Sequence, residues 1–265
     1  MCMDITIINN SQTQTVASND RALQYGDGFF TTIKVENGKP CLLELHLARL
    51  ARCVTRLYFD NVDLSAIENQ INALASGHSL AVIKVIVSRG QGGRGYQLPT
   101  VQAPQVYIYT ADFPENYLTL KQQGITLDTL STQLAVNPLL AGLKTLNRLE
   151  QVLAKQELQQ KGVSEGLLLN CNHEVIETTV ANILLVKNGQ LITPKLDKSG
   201  VFGVYLAHLA KHIDIKFDTV SLSDCYNADN LFCCNSLMGI VPITRLDTHY
   251  YSLENALQFL NEQAL

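Results

Sequence analysis

The sequence predicts an α+β protein built as two domains, on three observations. Strand and helix patterns are interspersed without the strict alternation that a doubly wound parallel sheet requires. A polar stretch, Ala111–Tyr117 (ADFPENY), carries Pro114 and interrupts the pattern before mid-chain. At 265 residues, with 46% hydrophobic and 17% charged content, the chain can bury two cores. The division reads as a small domain over residues 1–112, a linker at 113–118 and a larger domain over 119–265.

Each element follows from its local pattern. Ile5–Ile8 and Thr31–Glu36 are strands, the second ending at the Asn37-Gly38 turn signal before another short strand. Leu43–Phe59 repeats Leu43, Leu47, Leu50, Ala51, Val54 and Leu57 at helical spacing and predicts an amphipathic helix. Leu64–Ser76 is a second helix closed by Gly77. Leu80–Ser88 (LAVIKVIVS) is a β-branched strand, and beyond a glycine-rich loop comes another at Gln105–Thr110. In the second domain Thr126–Leu130, Gly166–Asn170, Glu177–Val186, Gln190–Thr193 and Asp229–Cys234 read as strands, and Leu146–Gln160 and Val201–His212 as helices.

Composition narrows the function classes. The net charge is −4 with no basic run, so neither nucleic acid nor an anionic membrane is expected as a partner. Seven cysteines without a Cys-x-x-Cys pair read as reduced core residues rather than a disulfide framework. The start, MCMDITIINN, lacks a basic region followed by an apolar run, and apolar stretches such as Leu80–Val87 are too short to span a bilayer. A cytoplasmic enzyme acting on a small molecule is the expectation.

Several motifs offer chemistry. Gly90-Gln91-Gly92-Gly93-Arg94-Gly95 satisfies G-x-G-x-x-G, but Tyr96 and Pro99 follow where a dinucleotide fingerprint must open a helix. It reads either as a surface turn or as an active-site loop whose Arg89 and Arg94 offer forked donors to carboxylates. His208 and His212 stand four apart without the Glu of a zinc motif, and adjacent Cys233 and Cys234 point to opposite faces of a strand, so no metal site is expected. Arg49, beside the apolar stripe of the first long helix, either snorkels to solvent or clamps a phosphate. Gly200–Tyr205 opens a helix whose free N–H groups attract anions, and Ser236 could add a hydroxyl; both could equally be ordinary caps.

Two stretches carry the most specific signal. Ala141–Glu150 (AGLKTLNRLE) sets Lys144 in a glycine-broken apolar turn, and Glu177–Asn182 (ETTVAN) begins a β-branched run with a carboxylate. Pyridoxal phosphate chemistry uses such a pair: an amine for the aldehyde and a carboxylate for the pyridine nitrogen.

These stretches, with Asp20-Arg21-Ala22, Tyr25–Thr32 (YGDGFFTT), His46–Leu50, Ser88–Tyr96 (SRGQGGRGY) and Asn137-Pro138, resemble the fold-type IV pyridoxal phosphate enzymes. That family includes the D-amino acid and branched-chain aminotransferases. SRGQGGRGY and KTLNRLEQVL resemble its 4-amino-4-deoxychorismate lyase branch in particular, and Thr31 stands where the aminotransferases usually place a Glu. The resemblance implies a D-amino acid aminotransferase-like fold, a homodimer, and pyridoxal 5'-phosphate bound by Lys144 as a Schiff base. It further implies Glu177 at the pyridine nitrogen, and Arg49, the amides of Val204 and Tyr205 and the Ser236 hydroxyl at the phosphate. Arg148 would lie near the ring, Thr32 near the reacting centre, and Arg89, Arg94 and Tyr96 at the substrate carboxylates. Leu206 departs from the pattern, since relatives often carry an arginine there. An aminotransferase, or a non-catalytic relative that binds the cofactor, is the alternative.

Overall fold

The computed structural model describes residues 4–8, as backbone, and residues 15–265; Cys2 lies outside them. The chain divides into two compact units, Met1–Phe113 with Leu143–Asn147, and Pro114–Gly142 with Arg148–Leu265. The Lys144 segment therefore groups with the first unit, whereas the sequence reading set it in the second domain. Its backbone pairs with a strand of the first unit, a contact that sequence order does not reveal.

The first unit comprises β1 (Asp4–Ile8), α1 (Arg21–Tyr25), β2 (Gly28–Glu36), β3 (Lys39–Pro40), α2 (Leu43–Arg56), α3 (Leu64–Ala75), β4 (Leu80–Ser88) and β5 (Gln105–Ala111). Its five-stranded sheet runs β1-β5-β4-β2-β3. Asn37 and Gly38, both at positive φ, make the β2–β3 turn. Alternation decides the faces. Phe29, Ile33 and Val35 of β2 and Ile83, Val85 and Val87 of β4 pack with Leu50 and Cys53 of α2 and Ile67 and Ile71 of α3. Phe30, Thr32 and Lys34 alternate with them and are only half-buried. Neither α1 nor the helix that opens the second unit stands out by periodicity, being five and seven residues long.

The second unit continues with α4 (Tyr117–Gln123), β6 (Ile125–Leu134), α5 (Leu149–Lys161), β7 (Gly166–Asn170), β8 (Val175–Thr178), β9 (Asn182–Lys187) and β10 (Gln190–Pro194). Then come α6 (Val204–His212), β11 (Ile215–Asp218), α7 (Leu222–Tyr226), β12 (Asn230–Asn235), β13 (Gly239–Leu246), β14 (His249–Tyr250) and α8 (Leu253–Glu262). The strands follow the order β11-β10-β9-β12-β13-β6-β7-β8, and β8 pairs again with β9, so six of them close on themselves. Leu127, Leu167, Ile183, Leu231, Cys233 and Val241 form one core. Leu168, Leu184, Phe232 and Cys234 turn to the opposite face and pack with Leu158 of α5, Leu206 of α6 and Leu260 of α8.

The single strand expected over Glu177–Val186 is a correction: it is a tight hairpin, β8 and β9, with Glu177 opposite Asn182. Thr178 Oγ1 accepts N–H bonds from Val180 at 3.2 Å and Ala181 at 2.9 Å, while the Thr179 hydroxyl and N–H both donate to Glu165 Oε1. These side-chain acceptors offer the backbone a turn in place of a ladder. Among the described residues no helix is long and apolar enough to cross a membrane.

Candidate active site

Lys144 is held by its neighbours' backbone rather than by a helix. Gly142, at φ +79°, turns the chain, and Leu143–Asn147 then runs along β2. Phe30 N–H donates to Lys144 O at 2.9 Å and Leu146 N–H to Gly28 O at 3.0 Å. A side chain at Gly28 would strike Val87 O and Leu146, so glycine is what lets the segment lie this close. Leu143 is buried in the first unit's core, and the half-buried Lys144 puts its Nζ 4.7 Å from the centre of the Phe30 ring.

Phe30 belongs to the face of the sheet turned away from that core. Thr32 lies two residues on and shares the face, as does Lys84, its cross-strand partner. Lys84 Nζ stands 4.9 Å from the same Phe30 ring. One aromatic ring thus carries two ammonium groups. Sequence reasoning missed Lys84, and its signal was the lone charge in the apolar run LAVIKVIVS.

Arg49 does not snorkel. It is buried on α2 beside Leu50 and Cys53, and its charge lowers the pKa of His46 one turn earlier. His46 is wholly buried, and burial first, then Arg49, hold its pKa down at about 3. The imidazole is therefore neutral, with Nδ1 2.6 Å from Thr31 Oγ1. Cys53 also meets the Lys144 backbone, so the Arg49 face of α2 adjoins the lysine segment.

Arg89 is a correction to the sequence reading. Its Nε donates to Asp27 Oδ2 at 2.8 Å, Nη1 to Tyr58 O and Gln102 Oε1 at 2.8 and 2.9 Å, and Nη2 to Leu57 O at 2.7 Å. The guanidinium also lies 3.9 Å over the Phe59 ring. A buried arginine with these partners belongs to the fold and does not reach for substrate. Asp27 takes a second guanidinium, Arg21 Nε, at 2.8 Å. Burial acts to raise the Asp27 pKa, but hydrogen bonds and charge from Arg89 and Arg21 bring it below the ordinary value. Arg94 and Tyr96, by contrast, are exposed on the glycine loop, Tyr96 with its ring 5.4 Å from that of Tyr25.

In the second unit Glu177 is buried, and its Oε2 accepts Val201 N–H at 2.8 Å. Gln151 Nε2 donates to Oε1 at 3.4 Å, leaving Gln151 Oε1 buried without a hydrogen-bond partner. Arg148 lies close enough for Glu177 to counter the lowering of its pKa by burial. Gly200, at φ +78°, gives the carboxylate its room: a Cβ there would stand 2.5 Å from Ile176 Cγ2 and 3.1 Å from Glu177 Oε2. Asn182 ties the next segment down, donating to Val201 O at 2.8 Å and accepting from Gly203 N–H at 3.1 Å.

Gly203 then caps α6, which begins at Val204 rather than Val201 because Val201–Gly203 is committed to these bonds. The first-turn amides of Val204 and Tyr205 have no intrahelical acceptor. Tyr205 also hydrogen-bonds the Ile240 backbone, which sets the start of α6 beside the β12–β13 turn that carries Ser236. Leu206, the departure from the pattern, is wholly buried in the core under α6. His212 Nδ1 bonds His208 O, and no group of three or more His, Cys, Asp or Glu that could hold a metal occurs among the described residues.

The sequence pattern of amino-transferase class IV matches residues 28–246. The chain belongs to the class IV aminotransferase family. It is 35% identical to an aminodeoxychorismate lyase of Vibrio harveyi over 95% of this chain and 93% of that protein. A putative branched-chain-amino-acid aminotransferase of Methanocaldococcus jannaschii is 32% identical over 86% of this chain and 81% of its own. Among solved structures, the 4-amino-4-deoxychorismate lyase of Pseudomonas aeruginosa superposes with a TM-score of 0.87 at 38% identity, covering 95% of this chain and 96% of that one. The architecture is thus fold-type IV.

Class IV enzymes depend on pyridoxal phosphate, and a Mycobacterium tuberculosis relative has been solved in a form bound to it. Features of the second unit fit that group. Gly200 lets the chain pack against the Glu177 carboxylate, Gln151 presents an unmet buried acceptor near Glu177, and the α6 start presents amides that no side chain caps.

Proposed function

We propose that the chain is a cytoplasmic, homodimeric, pyridoxal phosphate-dependent lyase that converts 4-amino-4-deoxychorismate to 4-aminobenzoate and pyruvate. The observation that carries this reading is the likeness to aminodeoxychorismate lyases at 35% and 38% identity over 95% of the chain. Lys144 would hold the cofactor through its amine and Glu177 would face the pyridine nitrogen, with Arg148 beside it. Arg49, the amides of Val204 and Tyr205 and the Ser236 hydroxyl would hold the phosphate. When bound, the cofactor supplies an aldehyde for the substrate amine and a sink for electrons.

In this reading Lys144 Nζ takes the proton from substrate C4. The C3–O bond breaks, enolpyruvate leaves, and the ring becomes aromatic, which supplies much of the driving force. Lys144 returns that proton, directly or relayed by the hydroxyl of Thr32 on the same face as Phe30, to the methylene carbon of the departing enolpyruvate, which ends as pyruvate. Arg94, Tyr96 and Lys84 hold the two carboxylates. The dimer reading is supported by α5, which leaves Leu149, Val152 and Leu153 exposed at helical spacing, 76%, 60% and 60% accessible. A monomeric mass in sedimentation would refute it.

The deciding experiment incubates the holoenzyme with 4-amino-4-deoxychorismate and no 2-oxoacid. Pyruvate release supports the lyase, turnover only with an added oxoacid means an aminotransferase, and no reaction means a binding protein. Lys144→Ala should abolish both turnover and the protein's yellow Schiff-base absorbance; an unchanged spectrum would refute the role of Lys144.

A further inference from the structure

The loop Gln91–Thr100 is exposed along nearly its whole length and has little packing of its own to hold a shape. Its order comes from one buried side chain. Arg21, 3% accessible, directs Nη1 at the carbonyl oxygens of Gly92, Gly95 and Gln97, at 3.2, 3.2 and 3.1 Å, and Nη2 at that of Tyr96, at 3.5 Å. Gly92, Gly93 and Gly95 all sit at positive φ, the conformation that turns these carbonyls inward. The same guanidinium lies 5.1 Å over the Tyr25 ring, whose neighbour is Tyr96.

Arg21 is in turn fixed from behind. Its Nε is paired with Asp27 Oδ2, the same oxygen that takes Arg89 Nε, and its backbone N–H donates to Gly90 O at 2.9 Å. Asp20 caps α1 through Ala22 N–H and accepts the Ser88 hydroxyl at 2.6 Å, so α1 is bolted to the end of β4. A chain of ion pairs therefore runs from buried Arg89 at the end of the sheet through half-buried Asp27 to buried Arg21 and ends in the loop's backbone. Lysine could not replace Arg21, since a single ammonium lacks the planar fork that serves Asp27 and the carbonyls together.

We infer that Arg21 is a positioning residue that sets substrate specificity: it folds the 92–97 loop around its guanidinium and so presents Arg94 and Tyr96 to a substrate carrying two carboxylates. This rests on the reading that Arg94 and Tyr96 take those carboxylates. Arg21 itself touches no substrate.

The test compares the holoenzyme with Arg21→Gln, in which Asp27 keeps Arg89. Trypsin cleavage after Arg94, followed by fragment mass, should accelerate at least tenfold or so, because the loop opens without its anchor. KM for 4-amino-4-deoxychorismate should rise roughly tenfold while kcat changes less than about threefold, the pattern of lost ground-state binding. Gly93→Ala is the second variant, in case Arg21→Gln fails to fold. A Cβ there would stand 2.1 Å from Gln97 O and 3.0 Å from Arg21 Nη1, forcing the loop off its anchor with the Asp27 pairs intact.

Unchanged cleavage after Arg94 in both variants overturns the inference. So does faster cleavage with unchanged KM, since loop shape would then not govern binding. Failure of the lyase reading shows separately, as absence of pyruvate release by the unsubstituted protein, and the proteolysis arm still decides the role of Arg21.

Discussion

Replacing Arg89 and Arg94 one at a time separates two arginines five positions apart that the sequence treats alike. Arg89→Met removes four side-chain hydrogen bonds and takes the side-chain donor from Leu57 O, while Tyr58 O keeps Gln102 Nε2, Gln102 Oε1 keeps Asp60 N–H and Asp27 keeps Arg21. A buried acceptor left without a donor costs about 1–3 kcal/mol, and a hydrogen bond to a charged group such as Asp27 contributes about 1.5–3 kcal/mol. Relaxation makes these losses non-additive, so the expected total is about 4 kcal/mol. With a urea slope of about 2 kcal/mol per molar, the midpoint for the first unit should fall by about 2 M. Arg94→Met removes an exposed side chain and should cost less than about 0.5 kcal/mol, a shift near 0.25 M. Kinetics should reverse the order: Arg94→Met raises KM for the dicarboxylate substrate strongly, and folded Arg89→Met leaves it near the unsubstituted value. A midpoint shift below about 0.5 M for Arg89→Met, together with a large rise in KM, would restore Arg89 to the substrate and refute the assignment made from its partners.

Gly200→Ala should cost about 1–3 kcal/mol through backbone strain and displace the Glu177 carboxylate, lowering kcat for pyruvate release roughly tenfold or more; a folded variant with unaltered kcat would show that the Glu177 position does not matter. His46 supplies a pH signature. Its folded pKa of about 3 lies below its ordinary 6.5, so in that window the unfolded chain takes a proton that the folded one refuses. Stability should therefore fall as pH drops from about 6.5 towards 3, by up to about 1.4 kcal/mol per pH unit from this group. His46→Gln should flatten the slope, and an identical slope in the variant would mean that His46 is not the group responsible.

What the sequence disclosed, and what it withheld, divides along the range of the interactions. Leu80–Ser88 reads as a strand to the residue, because LAVIKVIVS declares its conformation through its own β-branched side chains. The first long helix is equally plain, since its stripe repeats at 3.6 residues, although it stops at Arg56 where the reading ran to Phe59. The 178–181 turn escaped because TTVA looks like strand sequence. What bends it is the Thr178 hydroxyl and the remote Glu165 carboxylate, and neither is a propensity. The site divides the same way. Lys144 and Glu177 stood out through local context: an amine beside a glycine break, and an acid in an apolar run.

Arg89 misled because its partners are Asp27, Leu57, Tyr58 and Gln102, between 13 and 62 residues away. Arg21 went unassigned for the same reason, with its carbonyl partners 71 to 76 residues distant. A guanidinium in a glycine-rich motif advertises five donors but not their destination. Burial supplies that missing fact: a buried arginine must spend its donors within the protein, whereas an exposed one can keep them for a ligand. Applied to this chain, the rule keeps the donors of Arg21 and Arg89 within the protein and leaves the exposed Arg94 able to meet a ligand, as the proposed function requires. Leu206 obeys the same logic. Its position faces the core under α6, so leucine completes the packing there, and an arginine would need a buried partner at that point.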